Sequence, residues 1–203
     1  MQYRASDIAA FPAQTLDVKT AIRFIKKHVE DYQIDVDRIF LFGDSSGGHT
    51  VLMTAFTDGM SEFDTDDYGE YSSDVRAVVD FYAPVDFTRM CEAPSTQDHT
   101  SEYSCEGLEL GGKKVLENYD LAQKANPINY IKQGKAIPPM LIFHGSKDRI
   151  VPFMQSVLLF EKLKSVDADV KFYKLLGADH GGPQFWSDEI VDIITGFLEE
   201  KSR

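Results

Sequence analysis

A chain of 203 residues, 43% hydrophobic and 12% aromatic, can bury one sizeable core and reads as a single domain over residues 1–203. Its 33 acidic against 21 basic residues leave a formal net charge of −12, which argues against nucleic acid and anionic membrane as partners and favours neutral or weakly charged substrates. No apolar run reaches the length needed to span a bilayer, and Cys91 and Cys105 leave two readings open, a disulfide or two free thiols.

Along the chain, residues 14–31 carry Val18, Ala21, Ile22, Ile25 and Val29 at helical spacing. Residues 38–43 form a short apolar strand, and residues 46–57 read as a helix. Between them lies Gly43-Asp44-Ser45-Ser46-Gly47, a G-x-S-x-G at a strand-to-helix turn. Such a turn is so sharp that its central residue is strained with its hydroxyl thrust outward, and flanking glycines let strand and helix approach. The glycine spacing selects Ser45, because centring on Ser46 would put Asp44 where the first glycine must stand. Residues 58–74 include Glu62, Asp64, Asp66, Asp67, Glu70 and Asp74 but depart from the calcium-loop pattern at Tyr68, so they read as a solvated acidic loop. Residues 76–83 are a strand. The stretch 84–135 is long for a connection and reads as a cap-like excursion. There Phe87, Met90, Tyr103, Leu108 and Leu110 either line an acyl or alcohol pocket or pack the excursion onto the sheet.

A buried strand at 140–144 ends at His144, a turn presents Asp148, and a helix starts near Pro152 and runs to 165. A strand at 170–175 leads into Asp179-His180-Gly181-Gly182, and the last helix, 187–201, shows Ile190, Ile194, Phe197 and Leu198 on one face. This alternation of strand and helix means a mainly parallel sheet covered on both sides. Ser45, Asp148 and His180 then each follow a strand, in the order Ser, Asp, His. A serine hydroxyl attacks only when a base takes its proton, His180 can take it near neutral pH, and Asp148 can hold the imidazole in the right tautomer. The backbone N–H of Ser46 would give one oxyanion-hole donor. Asp86 is a rival acid, less favoured than Asp148; His49 reads as a packing or hydrogen-bonding residue rather than a base, and His144 as a support for the acid turn. His28 and His99 carry no signal, and Trp186 either flanks the pocket or packs on the last helix.

At this point the chain resembles the α/β-hydrolase esterase/lipase group, near its hormone-sensitive-lipase-like and carbohydrate-esterase (feruloyl and acetyl esterase) branches. Tyr3-Arg4 resembles the group's "DYR" at a strand end, and Phe11 to Gln14 with Asp17 to Phe24 resembles its next helix. Asp35-Val36-Asp37-Arg38-Ile39 resembles "D-x-x-R-I" before the nucleophile strand, and Gly47-Gly48-His49 resembles "GGH" after the elbow. The block from His144 to Pro152 and His180-Gly181-Gly182-Pro183 also fit. The resemblance implies a three-layer α/β-hydrolase fold and a serine carboxylic ester hydrolase acting on short acyl esters, carbohydrate esters among them. No H-E-x-x-H or clustered Cys/His spacing is present and the triad needs neither, so no metal and no organic cofactor is expected. The resemblance also implies a partial domain, because the first strands and the HGGG-type oxyanion loop of the group have no counterpart here. A prolyl-oligopeptidase-like peptidase domain, or an impaired fragment, remain alternative readings. Lacking the HGGG loop, the chain is expected to be a weak catalyst. The strand 38–43 is expected to expose a sheet edge through which copies self-associate. No signal peptide is visible, which leans toward the cytoplasm while leaving localisation open.

Overall fold

The computed structural model describes residues 2–202. Four parallel strands, β1 (Phe40–Asp44), β2 (Ala77–Phe81), β3 (Met140–Gly145) and β4 (Val170–Leu175), form one sheet in the order β1-β2-β3-β4. Among the described residues seven α-helices accompany them: α1 (Ala13–Lys27), α2 (Val29–Tyr32), α3 (Ser46–Phe56), α4 (Cys105–Glu109), α5 (Tyr119–Ala125), α6 (Met154–Lys164) and α7 (Asp188–Lys201). The register aligns the strand ends, with Asp44 opposite Phe81 and Phe81 opposite Phe143. Residues that follow these strands therefore gather along one edge of the sheet.

Every residue of β2 and β3 is buried, as expected for central parallel strands covered on both faces. One face packs Val78, Met140 and Ile142 against Val51, Leu52 and Phe56 of α3 and Leu159 and Leu163 of α6. The other packs Val79, Phe81, Leu141 and Phe143 against Ile190, Ile194 and Phe197 of α7. The α7 residues are those read as its apolar face. Helix α1 lies against α3, so α3 is covered by sheet and helix together and is buried from Gly48 to Phe56.

Three expectations need correcting. Tyr3 and Arg4 do not end a strand; the segment runs irregularly, and Arg4 forms a bidentate ion pair with Asp17 of α1. The acidic stretch 58–74 is strapped down rather than simply solvated. Asp64 pairs with Arg23, Asp74 with Lys26, and Glu62 with Lys124, while Phe63 is buried beside Phe11 and Tyr130. The long helix read over 14–31 breaks at His28 into α1 and the single turn α2. The excursion 84–135 is built from short helical turns around a small core of Phe87, Leu110, Val115, Ala122 and Ala125. Cys91 and Cys105 are both exposed free thiols.

Candidate active site

Ser45 stands between β1 and α3 with φ 52° and ψ −121°, a conformation L-residues avoid without compensation. The compensation is local. A Cβ on Gly43 would come within 2.3 Å of the Gly47 carbonyl oxygen, so only glycine lets the helix start so close to the strand. The Ser45 N–H donates to Phe81 O at 2.9 Å, continuing the ladder past the strand end. The second close approach belongs to Gly48 rather than Gly47, for a Cβ there would meet Asp80 Oδ1 at 2.7 Å and Ala83 Cβ at 2.8 Å.

The structure brings the three sequence candidates together. Ser45 Oγ lies 2.9 Å from His180 Nε2, and His180 Nδ1 lies 2.7 Å from Asp148 Oδ2. The Asp148 side chain is fully buried. Its Oδ1 accepts from the Ile150 and Val151 N–H groups, both at 2.9 Å. Burial pushes this carboxyl's pKa up, but hydrogen bonds from His144, His180 and the Ile150 N–H outweigh it and hold the group well below the usual carboxylate range. His144 is buried behind the acid. Its Nε2 faces Val151 O at 3.0 Å and Asp148 Oδ2 at 3.2 Å, both acceptors, so the proton sits on Nε2 and Ser156 Oγ donates to Nδ1 at 2.7 Å. That is the supporting role expected of it. Asp179 turns away from the imidazole. It takes the His180 and Arg149 N–H groups and pairs with the Arg149 guanidinium, tying the histidine loop to the acid turn.

Asp86 is not part of this cluster; its carboxylate binds Thr88 and Asn126. His49 is buried, donates from Nε2 to Ala125 O at 2.6 Å and stacks on Phe87, and burial pushes its pKa down. Trp186 packs on Phe81 with ring centroids 5.4 Å apart while staying largely exposed. Sequence reading missed Tyr82. It follows β2 as Ser45 follows β1, also has positive φ (46°), and sets its ring 4.5 Å from that of His180. Its hydroxyl pKa is pushed up to about 12, first by burial and then by the Asp44 charge. Its only signal is cross-strand register, which a single sequence does not display.

Ser46 opens α3, so its N–H has no intrahelical acceptor and is free by geometry to meet a ligand oxygen. Beside it lies a cavity of about 360 Å³ lined by Thr50, Pro84, Phe87, Glu106 and Leu108 among others. Of the five candidate pocket residues, Phe87 and Leu108 line this cavity, Met90 and Leu110 are buried in packing, and Tyr103 is 81% exposed. Among the described residues no group of three His, Cys, Asp or Glu is arranged to hold a metal ion, and no helix is long and apolar enough to cross a membrane.

Similarity to known proteins points to one family. The BD-FAE family model matches residues 1–163. The probable carboxylic ester hydrolase LipM of Mycobacterium tuberculosis is 29% identical over 178 residues, covering 85% of this chain and 38% of its own. A solved truncated form of a carbohydrate esterase from gut microbiota superposes with a TM-score of 0.90 at 32% identity, covering 100% of this chain and 73% of that one. A bifunctional GH43-CE protein of Bacteroides eggerthii gives a TM-score of 0.90 at 30% identity, covering 100% of this chain and 27% of that one. The chain spans about two fifths of the length of LipM and of the M. tuberculosis esterases LipC and LipQ, which it also matches. A parallel-sheet scaffold, a strained serine at a strand-to-helix elbow and a match over most of the chain place it in one group: the chain belongs to the BD-FAE family of α/β-hydrolase-fold esterases.

Proposed function

We propose that the chain carries a serine carboxylic ester hydrolase activity with Ser45 as nucleophile, His180 as general base and acid, Asp148 as the orienting carboxylate and the Ser46 N–H as an oxyanion donor. The observation that supports this most directly is the hydrogen-bonded chain Ser45–His180–Asp148, at 2.9 and 2.7 Å. Ser45 Oγ bonds to the ester carbonyl carbon as its proton passes to His180 Nε2. The tetrahedral oxyanion turns toward the Ser46 N–H. Collapse breaks the C–O bond to the alcohol, which leaves with the proton from His180. Water then attacks acyl-Ser45 by the same route and returns the serine. Asp148 keeps the proton on Nδ1 and stabilises the imidazolium in each half.

The substrate we favour is an ester of a short acyl group on an uncharged alcohol, including a sugar. A modest, mostly apolar cavity beside Ser46, the net charge of −12 and the carbohydrate-esterase description of a 32%-identical structural neighbour support it. The test is hydrolysis of p-nitrophenyl acetate and of an acetylated xylo-oligosaccharide, with a peptide amide for comparison. Ser45→Ala should abolish ester turnover and labelling by a fluorophosphonate, whereas Ser46→Ala, which keeps the backbone N–H, should retain both. Labelling that survives in Ser45→Ala, or faster amide than ester turnover, would overturn the assignment.

A further inference from the structure

The acid turn is gripped from behind by the excursion, and the grip involves a residue outside the proposed machinery. Two consecutive peptide groups carry it. The Arg149–Ile150 peptide donates its N–H to Asp148 Oδ1, while its carbonyl accepts from Thr96 N at 2.7 Å and Thr96 Oγ1 at 2.9 Å. The Ile150–Val151 peptide likewise donates to Asp148 Oδ1, while its carbonyl accepts from Ser95 Oγ at 2.8 Å and lies 3.0 Å from His99 Nε2. Each planar unit therefore has Asp148 on one side and the segment 95–99 on the other.

His99 is only 3% exposed. Its Nδ1 lies 2.9 Å from Glu106 Oε1, and its Nε2 faces the Ile150 carbonyl as well as Ser95 Oγ. Carboxylate and carbonyl oxygens only accept, so an imidazole that satisfies both must donate from both nitrogens. We propose that His99, held as an imidazolium by Glu106, is a positioning residue that fixes the Asp148 turn through the Ile150–Val151 peptide. A charged donor on the carbonyl polarises that peptide and strengthens its N–H bond to the Asp148 carboxylate. The inference rests on Asp148 being the acid of the proposed hydrolase.

The groups facing His99 are consistent with the charged form. Glu106 comes from α4, and its second oxygen is buried with no hydrogen-bond partner among the described residues. Asp98 comes from the ring's own turn. On the acid turn Arg149 is paired with Asp179, and Asp148 lies beyond the peptide. Burial pulls the His99 pKa down, but the hydrogen bond and charge of Glu106, with Ile150 O and Asp98, outweigh it and leave it raised. A raised histidine pKa means the clamp is complete below the ordinary value and is lost as pH rises through the folded value.

The test begins with histidine nitrogen NMR on the full chain. Both His99 nitrogens should be protonated at pH 7; an unprotonated nitrogen there overturns the proposal. His99→Gln should lower kcat by roughly tenfold with KM within about twofold, since small misplacements of a reacting group act on the chemical step. The clamp predicts that kcat of the parent declines as pH rises through the folded His99 value, and His99→Gln should lose that decline. An unchanged kcat and pH profile would overturn the clamp. If His99→Gln does not fold, Glu106→Gln serves instead: it should move the alkaline decline to lower pH, and an unmoved decline counts against the clamp. Should the parent hydrolyse no ester, the functional reading fails by itself. The NMR result, with exchange of the Ile150 and Val151 amides expected to be faster in His99→Gln, still decides whether the clamp exists.

Discussion

Asp148 uses its two oxygens for different tasks. Oδ1 is spent on the turn's own N–H groups, and Oδ2 is shared by His144 and His180. An amide at this position would place an NH₂ where one of these sets of donors points. Asp148→Asn is therefore expected to lower kcat by about a thousand- to ten-thousandfold by favouring the wrong His180 tautomer. Asp86→Asn, whose parent carboxylate only organises Thr88 and Asn126, should leave kcat within about twofold. Steady-state kinetics with p-nitrophenyl acetate checks both. The lowered pKa of Asp148 also has a sign. Its contribution to stability is present above the ordinary carboxylate value of about 3.9 and is lost only as pH falls further, through the folded value. Ser45, Asp148 and His180 were legible in the sequence because each sits in a short local pattern after a strand. His99 and Tyr82 were not, because each matters only through a distant neighbour: Ile150 O, 51 positions from His99, and the His180 ring.

The elbow depends on backbone proximity. Gly43→Ala would drive a methyl into the Gly47 carbonyl, which is backbone and cannot rotate aside. A loss of about 1–3 kcal/mol in urea unfolding is expected, together with slower fluorophosphonate labelling because Ser45 is displaced. A glycine-to-alanine change at Gly47, whose Cβ position has only ordinary contacts at 3.8 Å, should cost less. On β2, Asp80 is fully buried beneath α3, with Oδ1 accepting from Ala83 N at 3.2 Å and Oδ2 unpartnered among the described residues. Burial pushes its pKa up to about 8 despite the Ala83 hydrogen bond. Between its unfolded value of about 3.9 and that folded value, the native state holds a proton the unfolded chain has lost, so stability falls as pH rises across this window. Asp80→Asn should remove that fall. The gap in thermal midpoint between variant and parent should widen in the variant's favour from pH 5 to pH 8, measured by calorimetry; a constant gap would show that Asp80 does not titrate there. In the sequence this residue was simply one position of an apolar strand.

For the molecule as a whole, the edge strand β1 matters most. β1 pairs with β2 on one side, and on the other it meets no strand among the described residues. Phe42 is 42% exposed at this edge. We propose that copies of the 203-residue chain associate there, since an open, apolar strand edge with no proline recruits another strand. Light scattering should report a mass above that of the monomer, rising with concentration. Charge substitutions such as Phe42→Lys should restore the monomer. A stable monomer at high concentration with the amides of residues 39–42 protected from exchange would contradict the proposal.

The sequence by itself determined the alternation of strands and helices, the apolar face of α7 and the three candidate positions that the fold brings together, because hydrophobic period and short turn motifs are properties of contiguous residues. Only the tertiary structure decided the rest. It split the first helix at His28, strapped the acidic stretch onto α1 through Arg23 and Lys26, and sent Met90 and Leu110 into packing while Phe87 and Leu108 went to the cavity. It also set the excursion against the back of the Asp148 turn. Each of these is a contact between segments far apart in the chain, fixed by how the layers pack rather than by the pattern within any one segment.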